Sequence, residues 1–300
     1  MYWESRMNKK NTICAGIVSF NPELQRLQEN VNAIKRNGIS HIVIVDNGSE
    51  NYAETYKRFE PQGILFVPYQ ENKGIAYALN QIFDTAIRSF DSEWVLTMDQ
   101  DSVVDDSMID CYLPYLDKPG IASLSSLYRE RSNGNICGIG NVHSSDETIQ
   151  IDSCITSGNL VNVKAWCEIG GFDNRLFIDM VDHEFCYRLR MRGYIILRIN
   201  KPLMLHELGH QAPIKWLGKT CYVDNYSAIR NYYYSRNFQY VLKYYSQYAG
   251  NIRKTDLLRR FIKILIYEES KYKKLNSILR GISDARKMKK ADFIPWNLAE

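Results

Sequence analysis

The sequence predicts an α/β protein with a mostly parallel sheet and a helical C-terminal extension. Strand-like apolar runs alternate with helix-like segments over the first hundred residues, which is the pattern of a parallel sheet with right-handed crossovers. Polar residues follow several of these runs, and in such sheets ligands bind beyond the carboxyl ends of the strands. Beyond residue 222 the pattern is mainly helical. We therefore expect an α/β domain at residues 1–220 and a helical, basic region at residues 221–300.

The first strand, the first helix and the second strand have the clearest patterns. Residues 12–20 form an apolar run rich in Ile, Val and Phe. Asn21 and Pro22 are typical of a helix start, with Asn21 as the cap, and Gly38 predicts the end of that helix. Residues 41–45 form the next apolar run, as expected for a strand covered on both faces.

The later elements follow the same alternation. Predicted strands lie at residues 64–67, 94–98 and 194–199, and predicted helices at residues 74–90 and 182–191. Residues 121–162 mix short strand-like runs with Gly, Asn and Ser, so we expect irregular sheet and loops there.

Asp99-Gln100-Asp101 follows a predicted strand and is the strongest sign of a binding site. In an extended backbone residues i and i+2 point the same way, so both carboxylates would share one small volume at the carboxyl edge of the sheet. Oxygen ligands suit Mg²⁺ or Mn²⁺, and such ions usually share the phosphates of a substrate. The motif therefore predicts a divalent metal and a phosphorylated substrate, although Asp-x-Asp is also common in solvated turns.

Two further polar clusters follow predicted strands. Asp46 is a candidate for hydrogen bonds to a base or ribose, and its alternative role is that of a turn residue. Asn72-Lys73-Gly74 places a glycine at a helix start, where backbone N–H groups can meet phosphate, and Asn80 follows two turns later. An ordinary helix cap explains the same residues.

Asp182 opens a predicted helix and, at the mouth of a pocket, can act as a general base for an alcohol. Asp179 and Glu184 are its acidic neighbours in the sequence. A helix cap with solvated acids is the competing interpretation, because acidic residues favour the first turn of a helix.

Residues 206–210 match the H-E-x-x-H zinc motif. That motif needs a helix, whereas a strand-like run precedes His206, and both Gly209 and Pro213 disfavour a helix. No histidine follows His210 to serve as a third ligand. A zinc metalloprotease is therefore not expected, and His206 is a candidate for binding a metal ion or phosphate, or a plain loop residue.

The C-terminal region is basic, whereas the rest of the chain is net acidic. Residues 251–290 hold thirteen Lys and Arg against four Asp and Glu, while the whole chain carries a net charge of +4. One helical stripe there is apolar and has basic flanks; its apolar members are Leu258, Phe261, Ile262 and Leu265. This stripe predicts either a helix on an anionic membrane surface or one packed on the domain.

Arg236 lies beside three tyrosines in the sequence. It is a candidate for substrate contact, or for a cation that extends to solvent from a packed aromatic face.

Other features favour a cytoplasmic protein. Seven cysteines without a C-x-x-C spacing indicate reduced thiols. No apolar stretch approaches the roughly 20 residues that span a bilayer, and residues 1–11 lack the apolar core of a signal peptide. Clustered acids at the strand ends disfavour nucleic acid as a partner.

Short motifs are spaced in a specific order along residues 12–240. They lie at residues 19–22, 45–49, 72–76, 98–102, 157–159, 170–173, 177–184 and 233–237, together with Asn80, His206 and Gly209. In this order they resemble glycosyltransferase family 2 and, within it, the bacterial rhamnosyltransferase-like group.

This resemblance implies a GT-A fold and an inverting transfer from a nucleotide-sugar. It implies that Asp46 binds the nucleoside and that Asp99 binds the ribose or metal. Asp101 and His206 would hold Mg²⁺ or Mn²⁺ at the diphosphate, and Asp182 would be the base. The other residues that the resemblance places on the donor or acceptor side are Ser19, Asn21, Asn72, Gly74, Asn80, Ser157, Gly158, Asp179 and Arg236.

The resemblance leaves the substrates open. The group favours dTDP-L-rhamnose, whereas UDP-glucose, UDP-galactose and UDP-galactofuranose enzymes share most of these motifs. A lipid-linked saccharide of O-antigen or capsule synthesis is the expected acceptor, with the basic C-terminal helices on the inner membrane. Relatives commonly have Glu-Asp where this chain has Val181-Asp182, so Asp179 or Glu184 could share the role of base. A nucleotide-sugar-binding protein without transferase activity is the alternative from another class.

Overall fold

The computed structural model describes residues 10, 12–138, 146–207, 212–216, 219–223, 225–250, 252 and 254–298. The strands in these ranges are β1 (Ile13–Ser19), β2 (His41–Asp46), β3 (Leu65–Pro68), β4 (Trp94–Asp99), β5 (Val103–Val104), β6 (Ile121–Glu130), β7 (Ile136–Cys137), β8 (Thr148–Gln150), β9 (Asn159–Asn162), β10 (Ile195–His206), β11 (Ala212–Trp216) and β12 (Lys219–Val223). The α-helices are α1 (Leu24–Arg36), α2 (Tyr52–Phe59), α3 (Ile75–Phe90), α4 (Met108–Tyr112), α5 (Val163–Ile169), α6 (Val181–Met191), α7 (Ala228–Tyr245), α8 (Lys254–Tyr267) and α9 (Lys271–Ala285).

The central sheet of the described residues is mixed and has ten strands. Its order is β3-β2-β1-β4-β9-β6-β10-β5, with β7 paired to β6 and β8 paired to β10. β3, β2, β1 and β4 are parallel, whereas β9 runs antiparallel to both β4 and β6. The parallel half therefore brings the ends of β1, β2 and β4 to one edge, as the alternating sequence pattern predicts.

Helices cover both faces of the sheet, and successive strand residues alternate between two cores. On one face, Ile13 and Ile17 pack with Leu27 and Ile34 of α1. On the other face, Val43 and other strand residues pack with α3, α5 and α6. All of these side chains are buried, which accounts for the apolar runs in β1 and β2.

α3 lies unusually close to β1 because Gly16 has no side chain. A Cβ atom at Gly16 would lie 2.0 Å from Cγ2 of Ile82. Gly16 therefore allows the middle of α3 to pack directly against β1.

The C-terminal helices pack on each other and on the α/β domain. Tyr240 and Tyr245 of α7 are buried in the core that α3 and α6 share. Phe238, Ile264 and Ile278 form a smaller cluster that joins α7, α8 and α9. The division into an α/β domain and a helical region near residue 220 remains a prediction.

Within the described ranges, no helix combines the length and apolar character needed to cross a membrane.

Most predicted elements are confirmed, and two regions differ. The elements predicted at residues 41–45, 64–67, 74–90, 94–98 and 182–191 appear within one residue of those bounds. Residues 121–162 are more regular than expected, because they supply β6 and β9 in the middle of the sheet. The predicted cap at Asn21 is wrong: α1 starts after Glu23, and Asn21 Oδ1 instead accepts the Glu50 N–H at 2.8 Å.

Candidate active site

A cleft at the carboxyl edge of the parallel strands has two adjoining chambers. The first chamber has a volume of about 480 Å³ and includes Asn72 and Asp101 in its lining. The second has a volume of about 350 Å³ and includes Asp179 and Asp182. The residues that border both chambers are Ile75, Asp99, Ile178, His206 and Arg230. A larger cavity of about 800 Å³, between α3 and the C-terminal segment, is lined by none of the residues predicted for the site.

Asp99 ends β4 at the boundary of the two chambers. The Asn30 amide donates to its carbonyl oxygen at 2.6 Å, and its N–H donates to Ser157 Oγ at 3.2 Å. Although 35% of its side chain is exposed to solvent, its recessed position raises the pKa of Asp99 to about 6; His206 opposes this rise and Asp101 adds to it. Desolvation therefore dominates the pKa of Asp99, and the neighbouring Asp101 carboxylate adds to the rise.

His206 ends β10 and, like Asp99, borders both chambers. Its Nδ1 lies 2.8 Å from Ser102 Oγ and 3.9 Å from Asp99 Oδ2, and its ring meets Tyr128 edge-on. Because His206 belongs to a strand, it does not have the helical setting of the H-E-x-x-H motif. Gly209 and His210 of that motif lie outside the described residues.

Asp99, Asp101 and His206 offer ligand types that Mg²⁺ or Mn²⁺ accepts. Within the described part of the chain, no three His, Cys, Asp or Glu side chains are gathered closely enough to hold an ion by themselves. The three residues nevertheless line one chamber. This open arrangement fits an ion that takes its remaining ligands from a bound diphosphate, because Mg²⁺ is usually held by one or two carboxylates plus substrate phosphates.

Asp182 lies in the first turn of α6 and lines the second chamber, and its role as the base stays a prediction. Its Oδ1 accepts the His183 N–H at 2.8 Å. The turn before it is strained, because Phe177, Asp179 and Met180 all have positive φ angles of 60–64°. Such strain persists only where the surrounding structure enforces it, and it is frequent at binding sites.

Glu184 does not face the cleft. Its side chain is buried and forms a salt bridge with Arg188 of the same helix at 2.7 Å, and Tyr245 donates a hydrogen bond to it at 2.7 Å. The suggestion that Glu184 assists Asp182 is therefore wrong, because its carboxylate already compensates a buried arginine. Asp179 lines the second chamber, but its carboxylate is paired with Arg230 at 3.2 Å.

Asp46 and Ser19 lie beneath the cleft rather than in it. Asp46 is fully buried, and its carboxylate accepts hydrogen bonds from Ser19 Oγ at 3.1 Å, Ser49 Oγ at 2.6 Å and Ser49 N at 2.9 Å. Ser49 Oγ in turn accepts the Asn21 N–H at 2.7 Å. This placement differs from the predicted contact with the nucleoside: the three residues join the ends of β1 and β2. Their neighbour Asn47 lines the first chamber instead.

Asn72 and Gly74 line the first chamber, and their role as donor-side residues stays a prediction. Asn72 Oδ1 accepts the Gly74 N–H at 2.9 Å and an Asn47 amide hydrogen at 3.1 Å. Gly74 has a φ of 87°, and a Cβ there would lie 2.7 Å from the carbonyl oxygen of Phe177. That carbonyl accepts the Ile75 N–H at 2.6 Å, so one of the first donors of α3 is bound by protein.

Asn80 is a structural residue that sequence reasoning placed at the donor. It is fully buried, and its amide bridges α3 to the segment after α5. Its Nδ2 donates to the Phe172 carbonyl and to Asn174 Oδ1, each at 2.9 Å, while its Oδ1 accepts the Phe172 N–H at 2.7 Å and Trp166 Nε1–H at 3.2 Å. With its hydrogen-bonding capacity used in this way, it does not reach the cleft.

Ser157, Gly158 and Arg236 also lie outside the cleft lining. Ser157 supports Asp99 from behind, and a Cβ at Gly158 would lie 2.9 Å from Sδ of Met204. The Arg236 guanidinium binds Asn237 Oδ1 and the carbonyl oxygen of Arg175. These three residues therefore pack behind the cleft and do not line either chamber.

Arg230 is the functional candidate that sequence reasoning missed. It lies in the first turn of α7 and borders both chambers. The helix start at Ser227, whose Oγ accepts the Arg230 N–H at 3.3 Å, is a capping signal visible in the sequence. This capping signal predicts that Arg230 lies at the start of a helix, but it does not predict that the helix start borders this cleft.

Comparisons with known proteins identify the family of this chain. The family described as Glycosyl transferase family 2 matches residues 14–163, which is half of the chain. The chain is 27% identical over 238 residues to a dTDP-rhamnosyl transferase RfbF of Shigella flexneri, covering 76% of this chain and 78% of that protein. It is also 28% identical over 180 residues to the poly-beta-1,6-N-acetyl-D-glucosamine synthase of Staphylococcus aureus, covering 56% of this chain and 42% of the synthase.

Solved structures show the same fold at low sequence identity. S. aureus TarS 1–349 in complex with UDP-GlcNAc superposes with a TM-score of 0.56 at 12% identity, over 91% of this chain and 80% of that one. GalNAc-T7 with UDP, GalNAc and Mn²⁺ superposes with a TM-score of 0.59 at 13% identity, over 93% of this chain and 56% of that one. The α/β fold is therefore GT-A, as the resemblance implied.

Proposed function

Because the chain belongs to glycosyl transferase family 2, we propose that it is an inverting, metal-dependent enzyme that transfers L-rhamnose from dTDP-rhamnose to a hydroxyl of a lipid-linked saccharide in O-antigen or capsule synthesis. The main support for transfer is the placement of Asp101 and Asp182 in adjoining chambers that share Asp99. The choice of sugar rests on the similarity to the Shigella dTDP-rhamnosyl transferase.

In this proposal the first chamber holds the nucleotide diphosphate. Asn47 and Asn72 would line the nucleoside side of this chamber, and Asp99 and Asp101 its diphosphate side. A divalent ion held by Asp99, Asp101 and His206 would neutralise the leaving diphosphate.

The second chamber holds the acceptor. Asp182 accepts the proton of the acceptor hydroxyl while that oxygen attacks the anomeric carbon from the face opposite the diphosphate. A new C–O bond forms as the bond to the diphosphate breaks, so a single displacement inverts the anomeric carbon. The proton ends on the Asp182 carboxylate, and the electron pair of the broken bond leaves with the diphosphate.

A thermal-shift series tests the donor. Ligands that bind only the folded state raise the melting temperature with affinity and concentration. We expect dTDP and dTDP-rhamnose to stabilise the chain more with Mn²⁺ than with EDTA, and NMR of the product formed on a lipid-linked saccharide to show an inverted linkage. A preference for UDP-sugars would replace the donor, and two solved relatives were indeed captured with UDP ligands. Donor binding without any transfer would favour a nucleotide-sugar-binding protein.

The proposed acceptor also requires access to a membrane, and α8 offers a surface for it. The predicted apolar stripe divides: Phe261 packs towards Ile264 and the helical cluster, whereas Leu258 and Leu265 are 58% and 51% exposed. Tyr272, at the start of α9, is 84% exposed. Exposed apolar side chains in a strongly basic region suit the interface of an anionic bilayer, so we propose peripheral attachment to the cytoplasmic face of the inner membrane.

Charged substitutions test this attachment more cleanly than truncation, because Leu257, Ile264 and Ile278 are buried and their loss would expose the helical cluster. We expect a Leu258→Glu, Leu265→Glu double variant to lose flotation with phosphatidylglycerol vesicles. Tyr52→Glu on α2, where the side chain is 51% exposed, is the matched control and should still float. Flotation of the double variant at the level of the unmodified chain would contradict a membrane role for this stripe.

A further inference from the structure

Arg230 lies where the two chambers meet, and it supplies a positive charge amid several acids. Four aspartates line the cleft, namely Asp99, Asp101, Asp179 and Asp182. Two of the residues that border both chambers can carry a positive charge, namely Arg230 and His206. The guanidinium of Arg230 lowers the pKa of both Asp99 and Asp179, although burial dominates and raises both. Its field therefore extends over the donor and acceptor sides of the cleft.

The guanidinium is held in one orientation by two neighbours. Its Nε and Nη2 donate to the two carboxylate oxygens of Asp179 at 3.3 and 3.2 Å, a two-point pairing that fixes the guanidinium plane. The same group lies 3.8 Å from the ring centre of Tyr226, which Arg260 of α8 contacts from another position. Asp179 is 13% exposed and Arg230 is 39% exposed, so the pair is buried at its acidic end and open to the cleft at its basic end.

We propose that Arg230 binds the diphosphate of the donor, and that Asp179 and Tyr226 position it. This inference rests on the proposed function. Arginine suits the task because its planar group can contact phosphate oxygens at two points and stays charged at all physiological pH values. A protein cation at this place also explains why Asp179 faces the cleft: its carboxylate orients the arginine and is not a second base.

The test uses a nucleotide series that isolates the second phosphate. The affinities of thymidine, dTMP and dTDP are measured by calorimetry for the unmodified chain and for Arg230→Gln, with Mn²⁺ and again in EDTA. Arg236→Gln, on the same helix but bound to Asn237 and to a backbone carbonyl, is the matched control.

We expect Arg230→Gln to lower dTDP affinity by about 10- to 100-fold, the range given by loss of hydrogen bonds to a charged group. Thymidine affinity should stay unchanged, the loss should persist in EDTA, and Arg236→Gln should bind like the unmodified chain. Arg230→Lys keeps the charge but not the fork and should lose less than Arg230→Gln.

Three outcomes decide between the explanations. Equal dTDP affinity in Arg230→Gln and the unmodified chain contradicts this inference alone. An equal loss for thymidine and dTDP also contradicts it, because it shows a structural effect on the whole site. Failure of the unmodified chain to bind any thymidine or uridine nucleotide contradicts the proposed function itself.

Removing Arg230 leaves the Asp179 carboxylate buried and unpaired, which can destabilise the fold. An Arg230→Gln, Asp179→Asn double variant removes both charges together and keeps the test valid. It should melt close to the unmodified chain and still lack the additional affinity that the second phosphate provides. Recovery of that affinity in the double variant would overturn the proposal.

Discussion

The acids of the cleft and the acids beneath it have the same sequence signature but opposite surroundings. Asp46 ends β2 and Asp99 ends β4, so both lie at the carboxyl edge of the parallel sheet. Asp46 is fully buried and accepts three hydrogen bonds from Ser19 and Ser49, whereas Asp99 borders both chambers and has its pKa raised to about 6. A position at the end of a strand therefore identifies candidates, and the hydrogen-bond donors around each carboxylate decide whether it can act on a ligand.

α6 shows the same contrast over two residues. Asp182 lines the second chamber, whereas Glu184 is buried against Arg188 and Tyr245. Two positions along a helix correspond to a rotation of about 200° at 3.6 residues per turn, so neighbouring acids face opposite sides. The four predictions that follow test whether the cleft acids affect chemistry and the buried acids affect stability.

The largest effect is expected for Asp182→Asn. Loss of a general base lowers turnover by about 10²- to 10⁴-fold, while the amide keeps the shape of the side chain. Release of dTDP from dTDP-rhamnose in the presence of a lipid-linked saccharide measures turnover, and the thermal shift with dTDP measures donor binding. A parallel loss of donor binding would show that Asp182 holds the donor rather than the proton.

Glu184→Gln should act on stability instead. Breaking one partner of a buried ion pair costs about 3–5 kcal/mol, because the other charge remains buried. Arg188 is 8% exposed and would keep its hydrogen bonds to the Ile169 and Gly171 carbonyls. Urea unfolding measures the change. A variant of normal stability and low turnover would return Glu184 to the list of candidate bases.

Asp101→Asn should weaken metal-dependent donor binding. We expect dTDP affinity in Mn²⁺ to fall by more than roughly 10- to 100-fold, which is the cost of removing an outer-shell partner at a metal site. The difference in dTDP affinity between Mn²⁺ and EDTA measures it, and the affinity in EDTA serves as the internal control. If the difference in dTDP affinity between Mn²⁺ and EDTA is the same in Asp101→Asn as in the unmodified chain, Asp101 does not hold the metal.

The smallest effect is expected for Ser49→Ala beneath the cleft. The substitution removes one donor to the buried Asp46 carboxylate, and such a loss costs about 1–3 kcal/mol. Thermal unfolding should show the lower stability, and dTDP affinity at a temperature where the chain is folded should be unchanged. A selective loss of thymidine affinity would mean that the Asp46 network contacts the nucleoside after all.

The fold was predictable from the sequence because its signals are local. Apolar runs and the helix start at Gly74 mark elements over stretches of a few residues. Order along the chain then leads to the parallel sheet, and hence to the edge at which Asp46, Asp99 and Asp101 follow their strands. The middle of the chain was less predictable, since β6 is recognised as a central strand by its partners β9 and β10 rather than by its own pattern.

The sequence by itself determined the fold class, the family and the acids at the cleft, because short motifs encode them. Only the tertiary structure decided which polar residues line the cleft. It turned Asp46, Asn80 and Glu184 inward and brought Arg230 to the cleft. Those outcomes depend on partners far apart in the chain: Ser19 and Asp46 are 27 residues apart, Asp179 and Arg230 are 51, and Glu184 and Tyr245 are 61. A side chain can be satisfied by such distant partners only once the helices and strands have packed, so no local pattern reveals which carboxylate stays open to substrate.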